Sequence, residues 1–244
     1  MKTTVAIKNA ITMLSLLFIP FLSYSSAYWM EVTGSGKAGE KVTVQLIYGN
    51  IDDFGIRHRQ SGKELKLAGE FSFSLIDPAG KKTVLKLDQK SDCWETTFTP
   101  KDKGTYRILG INNSHPVVDR SATGGENVLP VDYLCSQYLV GAAQGLSDPM
   151  QFLDITISKE NKSIMVQAFQ NNKPAKAKSK LRVFNPENWE KELVLDEKGT
   201  AVFSPTMKGM YIIRLDWVDP KSGNYKGTAY TSIRHRCNYC LFIE

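Results

Sequence analysis

The stretch "FTPKDKGTYRI" (Phe98 to Ile108) is answered later in the chain by "FSPTMKGMYII" (Phe203 to Ile213), with a strand end, a proline, a glycine and a tyrosine in the same order. Pro100 and Pro205 cannot donate to a sheet ladder, so each closes a strand. Gly104 and Gly209 supply the unusual backbone angles of a tight turn. Tyr106 and Tyr211 then stand near the start of the next strand. That is the place of the tyrosine corner in immunoglobulin-like sandwiches, where the phenol hydrogen-bonds back to the preceding connection. Gly104, Tyr106, Gly209 and Tyr211 therefore read as structural corners of two sandwiches.

The repeat extends beyond the corners. "SLIDPAGKKTVLKL" (Ser74 to Leu87) aligns with "RVFNPENWEKELVL" (Arg182 to Leu195), Pro78 falling on Pro186 and Leu85 on Leu193. Upstream, "VTVQ" from Val42 aligns with "IMVQ" from Ile164. The offset shrinks along the chain, so the first half carries extra residues, and the period is too long for a solenoid. Between these landmarks the pattern has period two: Val42, Val44, Leu46 and Tyr48 share one face, as do Phe71, Phe73 and Leu75. No window after residue 28 sustains helical spacing. The fold class expected is all-β: two tandem immunoglobulin-like β-sandwich domains, the N-terminal at 28–145 and the C-terminal at 146–244, joined within "GAAQGLSDP" (Gly141 to Pro149).

Residues 1–27 read as a signal peptide: Lys2 and Lys8 form a basic start, Ala10 to Leu22 an apolar run, and Ser25-Ser26-Ala27 a small-residue site with cleavage after Ala27. Pro20 breaks the apolar run, which is short of the about 20 residues a spanning helix needs. The expected location is secreted, in the bacterial periplasm, with no transmembrane span in the mature chain. The net charge of +6 falls when Lys2 and Lys8 leave, and the remaining lysines are scattered along strands and turns. Such a balance favours solubility and gives no stripe for nucleic acid.

The order "AYWMEV", "GEKVTVQLIYG", "FSLIDPAGK", "FTPKDKGTYRI", "FLDITIS", "FQNNKPAKAKSKLRV" and "LDEKGTAVFSPTMKGMYII" resembles the periplasmic components of ABC-type cobalt and nickel transport systems. The resemblance covers essentially the whole mature chain. It implies tandem immunoglobulin-like or transthyretin-like β-domains, cobalt or nickel as cargo, and a membrane transporter as partner. One departure stands out. Metal-handling members begin the mature chain with a histidine shortly before the tryptophan, whereas Ala27 here is followed by Tyr28-Trp29, so the clamp of terminal amine and imidazole is missing.

The remaining ligand types are His58, His115, His235 and four cysteines. In an oxidising compartment an even cysteine count reads first as disulfides, and the pairings favoured are Cys93 with Cys135 and Cys237 with Cys240. The second requires a turn at Asn238-Tyr239, since residues three apart on an extended strand lie roughly 10 Å apart, beyond disulfide reach. Alternatively "RHRCNYC" offers His235, Cys237 and Cys240 to zinc or copper. The extra residues of the first half, "NIDDFGIRHRQSGKELKLAGE" (Asn50 to Glu70), form a loop where binding residues concentrate. There His58 with Asp52 or Asp53 is a candidate for a metal ion or its small chelate, with Arg57 and Arg59 as anion contacts.

Catalytic constellations are absent: no G-x-S-x-G elbow, no H-E-x-x-H, no P-loop and no Cys-His protease signature. The function expected is a non-enzymatic binding component of metal-ion uptake, its possible cargo nickel, cobalt, zinc or copper. The alternative is an accessory β-module holding a protein or glycan partner, for which Trp189 in the turn "NPENWEKE" is the exposed aromatic to watch.

Overall fold

The computed structural model describes residues 25–52, 54–141 and 147–244. The apolar run of the signal segment, Asp53 and most of the expected joint lie outside the described residues. The first half comprises β1 (Ser25–Thr33), β2 (Val42–Ile51), β3 (Arg57–Arg59), α1 (Lys63–Ala68), β4 (Ser72–Ile76), β5 (Lys82–Leu85), β6 (Asp88–Gln89), β7 (Trp94–Phe98), β8 (Gly104–Asn112) and β9 (Val128–Val140). The second comprises β10 (Leu153–Glu160), β11 (Ser163–Gln170), β12 (Lys173–Pro174), β13 (Lys180–Phe184), β14 (Glu190–Val194), β15 (Thr200–Phe203), β16 (Gly209–Asp219), β17 (Gly223–Tyr225), β18 (Thr228–Tyr230) and β19 (Ser232–Ile243).

The pairing repeats as the sequence does. β2 pairs with β1 and β7, and β11 pairs with β10 and β15 in the same way. The hairpin β4–β5 lies against β8, and β13–β14 against β16. Each half thus sets a separate sheet, five-stranded in the first half and four-stranded in the second, against four strands of another, the all-β, immunoglobulin-like arrangement expected. Both corners are built as read. The Tyr106 hydroxyl accepts the amides of Lys101 (3.1 Å) and Asp102 (3.0 Å) and donates to the Asp102 carbonyl (3.0 Å). The Tyr211 hydroxyl accepts the amides of Thr206 (3.1 Å) and Met207 (3.0 Å). Gly104 (φ 134°) and Gly209 (φ 119°) take angles that a β-carbon disfavours, which is why glycine precedes each tyrosine.

The halves meet through their last strands. β9 and β19 pair in parallel from Val128↔Ser232 to Ser136↔Cys240, fusing two four-stranded sheets into one of eight in the order β14-β13-β16-β19-β9-β8-β4-β5. Joining equivalent edges in parallel turns one half over relative to the other, so each half packs its separate sheet on the opposite face of the shared one. Strand alternation makes this visible. Leu134, Tyr138 and Val140 of β9 belong to the first core, whereas Val131, Tyr133 and Cys135 belong to the second. A strand buried on both faces reads as a nearly continuous apolar run, and "VLPVDYLCSQYLV" is one. Across the joint, Arg107 of β8 forms a buried ion pair with Asp154 of β10 (2.6 Å), and Asp154 also accepts the amides of Met150 and Ile155.

One element departs from the all-strand expectation. The insertion contains α1, short but amphipathic, with Leu65 and Ala68 buried on one face. Trp94 Nε1 donates to the Leu65 carbonyl (2.7 Å) and Asn112 Nδ2 to that of Leu67 (3.4 Å), which fixes the helix against the first half.

Candidate functional site

The expected loop site is assembled only in part. His58 Nε2 and Asp52 Oδ2 are 2.8 Å apart, while Asp52 Oδ1 accepts the amides of Phe54 and Ile56. The His58 hydrogen bond and these amides hold the Asp52 carboxyl below its ordinary pKa. Asp53 lies outside the described residues. Both arginines have partners within the protein. Arg57 donates to the carbonyls of Asn185 and Pro186 in the second half, and Arg59 is held by Glu31 (2.5 Å) and Asp92 (3.5 Å). Asp52, His58 and the two arginines shape the loop and tie it down.

The cysteine expectations are corrected. All four thiols are free and buried. β19 runs straight against β16 from Ile233 to Ile243, with no turn at Asn238-Tyr239, so Cys237 and Cys240 fall on opposite faces of the sheet. Cys237 enters the second core and Cys240 the first, where it accepts the Met30 amide (3.2 Å). They can neither bridge each other nor ligate one ion. Cys93 and Cys135 are likewise divided between the two cores. Cys135 does touch Cys237, Sγ to Sγ 3.6 Å, but Cys135 is in register with Tyr239 and Cys237 with Tyr133. Both thiols are free, and 3.6 Å is far beyond the roughly 2 Å of a sulfur–sulfur bond. Burial pushes the Cys240 thiol up to about 12 and that of Cys237 well above its usual value, so neither is a ready thiolate. His235 shares its face with Cys237 but sits among Tyr133, Phe152 and Trp217, hydrogen-bonded to the Tyr133 hydroxyl (3.0 Å), and burial lowers its pKa. Among the described residues no three His, Cys, Asp or Glu side chains converge to hold a metal ion.

The chemistry gathers elsewhere, on the even-numbered face of the two central strands. A cavity of about 160 Å³ lies where β9 and β19 are covered by β1, α1 and the chain after β8. Asp132 from β9, Arg234 and Arg236 from β19, His115, Glu64 from α1 and Tyr28 from β1 line it. Asp132 is only 8% exposed, and burial raises its pKa against the pull of Arg236, Arg234 and His115. Arg236 is held by Asp216 (3.1 Å), whereas the buried Nε of Arg234 has no partner among the described residues. Arg214 nearby is pushed down to about 10 by burial and by Arg236. His115 Nδ1 donates to the Pro116 carbonyl (2.7 Å), which leaves the lone pair on Nε2. Tyr28 packs against Tyr48 at 5.2 Å and Phe71 at 5.3 Å, and its phenol is raised above its ordinary pKa by burial and by Asp132. The site thus offers guanidinium groups, a desolvated carboxylate and an imidazole behind an aromatic wall.

Asp132, Arg234 and Arg236 are not singled out in the sequence, where the two arginines flank His235 in "RHRCNYC" and draw no reading of their own. The signal lay in their setting, since each is embedded in a strand otherwise rich in apolar residues. The insertion reaches this cavity through its helix, which supplies Glu64 and Leu67 to the wall, while Asp52, Arg57, His58 and Arg59 do not line it. A second cavity, about 490 Å³ and lined by Tyr138, Leu139, Tyr239 and Phe242 among others, has only Lys159 and Glu244 as charged side chains.

No family model matches the chain, and no curated protein does. Solved structures similar to it include trypsin-activated alpha-2-macroglobulin from Escherichia coli, at 13% identity and TM-score 0.25, covering 89% of this chain and 16% of that one. A tetra-tandem repeat from the extending region of a large adhesion protein has 9% identity and TM-score 0.23, covering 91% and 50%. The D0-D1 domain of intimin has 10% identity and TM-score 0.25, covering 89% and 100%. The chain therefore spans a small part of the first and half of the second. The assignment as an all-β protein of immunoglobulin-like sandwiches rests on its own strand pairing and its two tyrosine corners.

Proposed function

We propose that this chain is a non-enzymatic periplasmic binding component of a metal-uptake system, and that it takes its cargo as a small metal chelate in the cavity between β9, β19 and β1. The observation that carries this reading is the composition of the cavity. Arg234 and Arg236 face Asp132, Glu64 and His115, and no three ligating side chains converge among the described residues to complete a bare metal's coordination. A chelate brings its own donors and a negative charge, which the guanidinium groups match. His115 Nε2 can then fill one open position on a late divalent metal such as nickel or cobalt. The sequence resemblance to cobalt and nickel uptake components supports the cargo.

Thermal melts test it. At a hundredfold excess over Kd a single-site ligand adds about 2.7 kcal/mol, which raises the midpoint by about 5–10 °C for a chain of this size. Nickel or cobalt with a carboxylate chelator should give that rise and the bare salts should not; no rise with any chelate would end the reading. The second reading, a module for a protein or glycan partner, is favoured by one patch. Phe54, Ile56 and Trp189 are exposed, and the Asn188 side chain donates to the Gly55 carbonyl, holding the two loops together. Loss of partner capture in Trp189→Ala, with chelate melts unchanged, would separate this patch from the cavity.

A further inference from the structure

We infer that the cavity between β9, β19 and β1 recognises an α-amino-carboxylate group, Asp132 taking the ammonium and Arg234 the carboxylate. This rests on the binding reading above and narrows its ligand class. The first observation is an opposed pair of unfulfilled charges. Asp132 is more than nine-tenths buried, lines the cavity, and makes no hydrogen bond or ion pair to another side chain among the described residues. Its neighbour Arg234 keeps a buried Nε without a partner. Buried charges normally pair or are neutralised, because an uncompensated one is costly. Arg234 and Asp132 do not satisfy each other here, since no ion pair joins them, so each is left to a ligand group of opposite sign.

Other groups divide the work and sharpen the assignment. Arg236 is committed to Asp216, and Arg214 to the Asn238 side chain at 2.8 Å, which leaves Arg234 as the guanidinium for the carboxylate. Asn238 is itself fixed by donating to the Tyr28 carbonyl (3.2 Å), so β1 is tied to the floor of the cavity. A ligand ammonium beside Asp132 offsets the burial that raises this carboxyl's pKa. Glu64 lines the same space and adds a second negative group. Amine and carboxylate on one carbon also chelate nickel and cobalt once the ammonium has lost a proton, and the metal-bound –NH2 keeps two N–H donors that Asp132 can accept.

Titration calorimetry of the whole protein with metal-free glycine, L-alanine and L-histidine, and with citrate as a carboxylate lacking the amine, decides it. The expected result is saturable binding of at least one amino acid without metal. Asp132→Asn and Arg234→Met should each weaken it tenfold or more, while melting midpoints without ligand stay close to the parent's, since neither side chain has a partner to lose. Binding of citrate but of no amino acid would overturn the amino-carboxylate assignment and leave the chelate reading standing. Binding of neither metal-free class would overturn the amino-carboxylate assignment, and the melts with nickel and cobalt chelates then decide the chelate reading on their own. Amino-acid binding undiminished in both variants would overturn the placement of the ligand in this cavity.

Discussion

At the scale of single residues, the corners carry stability. Each phenol oxygen satisfies two backbone amides, and Tyr106 also donates to a carbonyl. Tyr106→Phe and Tyr211→Phe should each cost about 1–3 kcal/mol in denaturant unfolding, the usual range when buried donors lose their acceptor. Ligand binding should hold, because neither tyrosine lines the cavity. His235 gives a pH signature of known sign. Burial lowers its pKa, so the unfolded chain binds its proton more readily and this residue's stability contribution is complete above about 6.5, fading as pH falls through that value towards the lower folded one. An NMR titration should place the imidazole below the free-histidine value, and His235→Phe should flatten the loss of stability between pH 7 and 5. A titration at or above the free value would refute the burial argument. The cysteines make a negative test: peptide mapping should find neither a Cys93–Cys135 nor a Cys237–Cys240 link, since each pair is split between the two cores.

At the scale of elements, what the sequence displays is local. Period-two strands, the proline and glycine stops, and both tyrosine corners follow from spacing, and the duplicated order of pairings follows from the aligned halves. The union of β9 with β19 does not, because parallel pairing between residues a hundred positions apart leaves no local pattern. Its trace is burial on both faces, which makes "VLPVDYLCSQYLV" look merely like a strong strand. The same union explains the misread motif "RHRCNYC". Alternation sends Arg234, Arg236 and Cys240 one way and His235 and Cys237 the other, so the motif is cut in two by the sheet that contains it. The Arg107–Asp154 pair ties an element of each half together with almost no exposure. Asp154→Ala strands a buried guanidinium and should cost about 3–5 kcal/mol. A loss under 1 kcal/mol would mean that this contact does not hold β8 to β10.

At the scale of the whole molecule, the shared sheet makes one body of two sandwiches and the cavity a joint possession. Tyr28, Glu64, His115 and Asp132 come from the first half, and Arg234, Arg236 and Asn238 from the second. Separating the halves would expose β9 along an unpaired edge and one apolar face, bearing Val131, Tyr133 and Cys135. Calorimetric unfolding should accordingly show one cooperative transition, and two transitions, each matching an isolated half, would break the picture of a common core. The claim on which the function turns is that this joint cavity retains a metal chelate through its unpartnered guanidinium. Equilibrium dialysis of the parent and of Arg234→Met against the anionic chelate of cobalt with aspartate, with cobalt counted per chain, tests it most directly. The account predicts close to one cobalt per parent chain and at least tenfold weaker retention by the variant, as loss of a charged hydrogen bond worth about 1.5–3 kcal/mol requires. Equal retention by both proteins, or none by the parent, would contradict it.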